Sequence, residues 1–273
     1  MDSDFPDPET LRTVLTLATH APSVRESQPW RWAVGPHGLL LYADPVRLPQ
    51  DDPGRRDVLL SCGAALHHCT VALAAMGWRT VVHRLPDPAD PDLLAGIAVA
   101  RQPAEDSDVM LAAEITRRRT DPRGYGTWPV PWGDIALMGS RAARAGVMLR
   151  QVGPAAAGLG GWAHGPDRGV AIALGTEADD GVARLRAGEA TSLVLLSATA
   201  MGLASCPASE PLAAAGNREA VRSEVFGGAA HPQMLVRVGW AALDAEPLPA
   251  SPRRPLSEVA DWCDAAASVN PCR

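Results

Sequence analysis

Residues 21–32 read Ala-Pro-Ser-Val-Arg-Glu-Ser-Gln-Pro-Trp-Arg-Trp. Pro22 disfavours helical geometry at the residue before it, so a helix must stop near Ala21. A short polar loop follows, and Gln28-Pro29-Trp30 opens a strand. Upstream, Asp7 can cap a helix whose first turn holds Pro8, with Leu11, Val14, Leu15 and Ala18 at helical spacing. Downstream, Trp30–Val34 and Leu39–Tyr42 read as strands on either side of the turn Gly35-Pro36-His37-Gly38.

A long helix of small residues is expected over Val58 to Met76, ended by Gly77. It has an echo. Gly63 pairs with Gly188, Ala65 with Ala190, and Ala75-Met76-Gly77 with Ala200-Met201-Gly202, at a constant offset of 125. Each helix leads into a strand-like segment, Val81–Leu85 and Leu203–Cys206. A register this long points to internal duplication. Around Asp106–Arg117 another capped helix runs into Arg117-Arg118-Arg119-Thr120-Asp121-Pro122-Arg123. The expected organisation is therefore a first half at 1–105 and a second at 106–273.

Composition narrows the function. With 273 residues, 47% of them hydrophobic and 21% charged, the chain has material for a large core. All 25 basic residues are arginine, so Schiff-base lysine chemistry is excluded. A net charge of −6 without a basic cluster argues against nucleic acid as a partner. The acidic start Met1-Asp2-Ser3-Asp4 does not read as a signal peptide, and no apolar run reads as a bilayer span. Five widely spaced cysteines (62, 69, 206, 263 and 272) read as free thiols, which suits a cytoplasmic protein. His67 and His68 lie between Cys62 and Cys69 without turn spacing on one face, so no metal site is expected there.

The Pro-Ser…Gln-Pro-Trp loop resembles the flavin-side loop of the nitroreductase family, Ser-x-x-Asn-x-Gln-Pro-Trp. The closer resemblance is to the Acg-type branch, in which two nitroreductase-like halves are fused. It implies an α+β fold, internally duplicated as a pseudo-dimer in one chain, with antiparallel-rich sheets packed by helices. The first half carries the loop, and the second carries Arg118 and Thr120 on the family's Arg-x-Ser/Thr phosphate motif. Pro122 takes that motif's third position, leaving Arg119 or Arg123 as substitutes. One FMN between the halves is implied, so a monomer or weak dimer suffices.

The resemblance also distributes the cofactor contacts. Pro22, Ser23, Glu26 and Gln28 fall at the ring, with Glu26 standing where the family has Asn. Arg253 and Arg254 fall on a C-terminal Lys-x-Arg-x-Pro motif whose Lys is Pro252 here. Pro207, Ser209 and Glu210 stand where relatives carry Pro-x-Glu-Gly, and Ser209 or Glu210 would donate the N–H that meets the flavin N5. Relatives are longer, and the shortfall falls across 151–168, where Trp162 is a candidate ligand cover. The implied function is FMN-dependent oxidoreduction of a small organic substrate, with NAD(P)H as transient donor. Glu26 and Ser209 are the catalytic candidates. Two other readings stay open: a non-catalytic flavin-sequestering or ligand-binding protein, and a cofactor-free enzyme in which Glu26 acts as acid/base.

Overall fold

The computed structural model describes residues 5–48, 51–153 and 168–262. Trp162, most of the 151–168 connection, Cys263 and Cys272 lie outside the described residues. The chain divides into two compact units, one of Met1–Thr116 with Pro252–Arg273 and the other of Arg117–Ser251.

Unit 1 opens with α1 (Pro8–Ala18), where the Asp7 carboxylate accepts from the amides of Glu9 and Thr10, both at 2.9 Å. Its apolar stripe of Leu11, Val14, Leu15 and Ala18 is buried. Strands β1 (Trp30–Val34) and β2 (Leu39–Ala43) form the expected hairpin. The long helix α2 (Arg56–Ala75) ends where Gly77 turns left-handed at φ +82°. Strands β3 (Trp78–Arg84) and β4 (Leu93–Arg101), then α3 (Asp106–Ala113), complete the run. Near the C-terminus, α7 (Leu256–Val259) delivers β9 (Ala260–Trp262) alongside β1, in parallel. The sheet order is β3-β4-β2-β1-β9.

Unit 2 begins with the same order, a helix, two strands, a long helix and a strand, but sets a helix before its last strand where unit 1 runs from β3 straight to β4. Helix α4 (Trp132–Arg144), β5 (Met148–Gln151), β6 (Val170–Thr176), α5 (Gly181–Ala200), β7 (Ala204–Ala208), α6 (Ala215–Glu224) and β8 (His231–Gly239) follow one another. Its sheet runs β7-β8-β6-β5, the order of β3-β4-β2-β1, and every pairing within both four-strand sets is antiparallel. The helices α2 and α5 both begin and both end 125 residues apart, at Arg56–Ala75 and Gly181–Ala200. Gly202 ends the second at φ +77° as Gly77 ends the first. The residue offset seen in sequence is thus the offset of this helix pair, and the flanking strands depart from it.

Two expectations need correction. The division does not fall at residue 105. Helix α3 packs on α2 and keeps to unit 1, and the stretch from Pro252 returns there because β9 adds to β1. Helix α2 is in fact long and apolar enough, by length and composition, to cross a membrane, but 78% of the window that passes is buried inside the fold. It is the central core helix of unit 1, buried on nearly every face.

That burial has a measurable consequence. Cys62 and Cys69 on α2 are buried, and burial pushes both thiols up. Burial also brings the His67 imidazole down from 6.5 to about 4. The folded state thus binds this proton less readily than the unfolded chain. Above about pH 6.5 the residue does not affect stability, and as pH falls towards 4 it destabilises by at most about 3 kcal/mol. Urea unfolding midpoints should therefore drop between pH 7 and 4.5. In His67→Gln the drop across that window should be smaller.

Candidate functional site

In unit 2 the arginine-rich segment is laid along the edge of β7. Thr120 forms a parallel bridge to Ser205, and the Asp121 amide donates to the Ser205 carbonyl at 2.9 Å. Further on, the Gly126 amide donates to Trp240 O at 2.7 Å. Tyr125 packs over Gly239 so closely that a Cβ there would stand 2.6 Å from the ring. The Tyr125 hydroxyl lies 3.1 Å from the Asp121 carbonyl and 3.2 Å from that of Arg237.

Arg118 is buried at 4% exposure, and its guanidinium donates to Thr120 Oγ1 at 3.2 Å. Arg119 donates to the Arg118 carbonyl at 2.9 Å. The structure thus brings Arg118, Arg119, Thr120 and Ser205 together. Arg123 is a different case. Its guanidinium grips the Asp121 carboxylate with two N–H donors, each at 2.8 Å, and also reaches Glu246 O at 2.8 Å. These hydrogen bonds from Arg123 hold the Asp121 carboxyl below its ordinary range. Arg123 is thus tied to Asp121 and Glu246 in this structure.

On β7 and just beyond it, the Ser205 and Ser209 hydroxyls are buried and make no hydrogen bond within the described residues. Ser205 adjoins Thr120 of the arginine motif, and native folds rarely leave a buried hydroxyl unpaired, so this hydroxyl is open to a polar ligand there. Pro207 is half-buried, and Glu210 is exposed at the start of the short turn Glu210–Leu212. Cys206 stands opposite Arg237 in the β7–β8 register, and burial raises its thiol despite that cation. Sequence reasoning missed Ser205 and Arg237. The signal for Arg237 was an arginine interrupting the apolar run Met234-Leu235-Val236-Arg237-Val238.

In unit 1 the loop after Pro22 is strained. Arg25, Glu26 and Gln28 have φ of 52°, 53° and 47°. Left-handed non-glycine residues cost on the order of 1–3 kcal/mol each and persist only where surroundings over-determine them. Here the Ser61 hydroxyl accepts from the Val24 amide at 3.0 Å, and the Ser23 hydroxyl accepts from the Gln28 amide at 3.1 Å. Glu26 is exposed on this turn.

Gln28 and Arg254, both expected at the cofactor, are bonded to protein here. The Gln28 side-chain amide donates to Pro252 O at 3.2 Å and accepts from the Arg254 amide at 3.0 Å. The Arg254 guanidinium donates to Asp44 Oδ2 at 2.9 Å, to Gln28 O at 3.2 Å and to Glu258 O at 3.0 Å. Arg253 donates to Ala21 O at 3.2 Å. An open depression of about 660 Å³ lies here, lined by Arg31, Asp44, Arg47, Arg254 and Trp262 among others. A smaller one in unit 2, about 230 Å³, is lined by Asp179, Arg218, Arg222 and His231 among others. Neither includes Arg118 or Ser209. Among the described residues, no group of three or more His, Cys, Asp or Glu side chains could hold a metal.

No family model matches this sequence. A Mycobacterium tuberculosis H37Rv protein provisionally named an NAD(P)H nitroreductase is 49% identical over 323 aligned positions, covering 96% of this chain and 94% of the relative. Since the chain here has 273 residues, at least 50 of those 323 positions have no residue in it. The protein of the same strain provisionally named NAD(P)H nitroreductase acg is 30% identical, covering 92% of this chain and 95% of its own length. Among solved structures, one provisionally named a nitroreductase, from Anabaena variabilis ATCC 29413, superposes with a TM-score of 0.59. It is 10% identical and covers 88% of this chain and 90% of that one, so it shares the fold.

Proposed function

The chain belongs to the family of the NAD(P)H nitroreductases, and from that premise we propose that it is an FMN-dependent oxidoreductase that draws on NAD(P)H to act on a small organic substrate. The observation that carries the cofactor assignment is the strip beside β7. A buried Arg118 is steadied by Thr120, and Thr120 is bridged to Ser205, whose buried hydroxyl has no partner among the described residues; Ser209, just past the strand, has another such hydroxyl. A phosphate needs cationic donors and a ring edge needs polar ones; this strip offers both.

Arg118 and Thr120 hold the phosphate, with Arg119 beside them. Ser209 orients the ring through its hydroxyl or amide, with Pro207 and Glu210 shaping the approach. In the first unit, Pro22, Ser23 and Glu26 are the loop's candidates for the ring. The protein's part is to bind and orient; FMN, once bound, supplies hydride acceptance and delivery. The chain carries no Gly-x-Gly-x-x-Gly strand–helix unit, so the nicotinamide is a transient visitor. We assign the protein to the cytoplasm, as a monomer or weak dimer without nucleic-acid or membrane partners.

Titration with FMN, followed by quenching of flavin fluorescence, tests the reading. Micromolar or tighter affinity is expected, about −8 kcal/mol. No quenching at high micromolar FMN would remove the flavin function. FMN binding without NAD(P)H oxidation would leave a flavin-sequestering protein.

A further inference from the structure

We propose that Arg254, Gln28 and Asp44 form a clamp that holds the strained Ser23–Gln28 loop in place, and that Arg254 is a positioning residue instead of a contact of the flavin phosphate. The local sequence opposes the loop's observed shape. Gln28 precedes Pro29, a position that favours extended backbone, yet its φ is 47°. Tertiary ties must supply what local preference withholds. The C-terminal segment provides them, bonding the Gln28 side chain from both Pro252 and Arg254 and its carbonyl from the Arg254 guanidinium.

The chemistry of Arg254 points the same way. Its two terminal nitrogens already donate to protein acceptors, one of them the buried Asp44 carboxylate. The side chains of this pair are 11% and 8% exposed, so the cation's charge is matched in place by an anion. A phosphate brought to the same guanidinium would meet Asp44, and Glu258 whose carboxylate lies 3.6 Å from Arg254 Nε. Like charges at that range disfavour the complex. The clamp therefore acts on the loop, and through the loop on whatever the loop touches.

The flavin part of this inference rests on the function proposed above, so the test has one arm without flavin. Trypsin cleavage at the exposed Arg25–Glu26 bond reports how often the loop opens. In Arg254→Ala and Asp44→Asn, cleavage there is expected to rise about tenfold or more, since each loses a charge-assisted hydrogen bond. Cleavage at Arg79, inside β3, should stay unchanged. Arg254→Lys, which keeps the charge but not the fork of donors, should fall between wild type and Arg254→Ala. In the second arm, FMN and riboflavin should both weaken by the same factor in Arg254→Ala. A loss for FMN exceeding that for riboflavin by about tenfold would make Arg254 a phosphate ligand and overturn the clamp. Unchanged cleavage at Arg25 in both variants would overturn it as well. If Arg254→Ala is cut faster at every arginine, it has unfolded globally and the isosteric Asp44→Asn decides. If wild type binds neither flavin, the proposed function fails and cleavage at Arg25 alone decides the clamp.

Discussion

Arg118→Ala is expected to weaken FMN binding by about 10- to 100-fold, the equivalent of roughly 1.5–3 kcal/mol for a hydrogen bond to a charged group. Riboflavin, which lacks the phosphate, should bind the variant and the wild type alike. The control matters because Arg118 is 4% exposed, so truncation also opens space behind the strip. Damage to the fold would weaken both ligands together, whereas loss of a phosphate contact separates them. Arg118→Lys should recover part of the affinity, as a point charge without the planar fork. Equal weakening of FMN and riboflavin in Arg118→Ala would remove Arg118 from the cofactor.

The second large effect concerns Trp30. It closes the Gln-Pro-Trp signature, yet it is fully buried on β1 and its indole N–H has no hydrogen-bond partner among the described residues. Its role is therefore core packing. Trp30→Ala is expected to cost about 3–5 kcal/mol in urea unfolding, as large-to-small changes of buried aromatics do. Trp30→Phe should cost under about 1.5 kcal/mol, because it keeps an aromatic ring and discards an unsatisfied donor. A loss below about 1 kcal/mol for Trp30→Ala would show that the site collapses freely and is not a keystone of the first sheet.

The contrast between Trp30 and Arg118 shows what a motif conveys. Local signals were legible: the Asp7 cap, the stop imposed by Pro22, the hairpin around Gly35–Gly38, and the 125-residue offset that reappears in α2 and α5. The first three are decided by residues within a few turns of one another, and the offset by comparing two stretches that each fold locally. What escaped was decided at long range. Nothing in three residues such as Ala260–Trp262 announces a parallel partner in Trp32–Val34. The short α3 carries no local mark of which neighbour it will pack on. Gln28 and Arg254 have donor chemistry that serves a ligand or a carbonyl equally well. Only their placement, with Pro252, Asp44 and Glu258 in reach, separates the two.

The return of the C-terminal stretch to the first unit also orders the events of synthesis. Unit 2 is one continuous segment, Arg117–Ser251, whereas unit 1 is interrupted by it and needs Pro252 onward for its fifth strand. A ribosome emits about 5–20 residues per second, so the first unit's nascent chain waits on the order of ten seconds while the intervening segment is made. During that interval the outer edge of β1 lacks β9 as a partner, and the polar loop lacks Arg254. An unpaired strand edge is a template for mispairing. The exposed period of this chain in the cell thus lies between translation of residue 116 and arrival of residue 262, and slowing elongation across that interval should raise aggregation more than slowing it elsewhere.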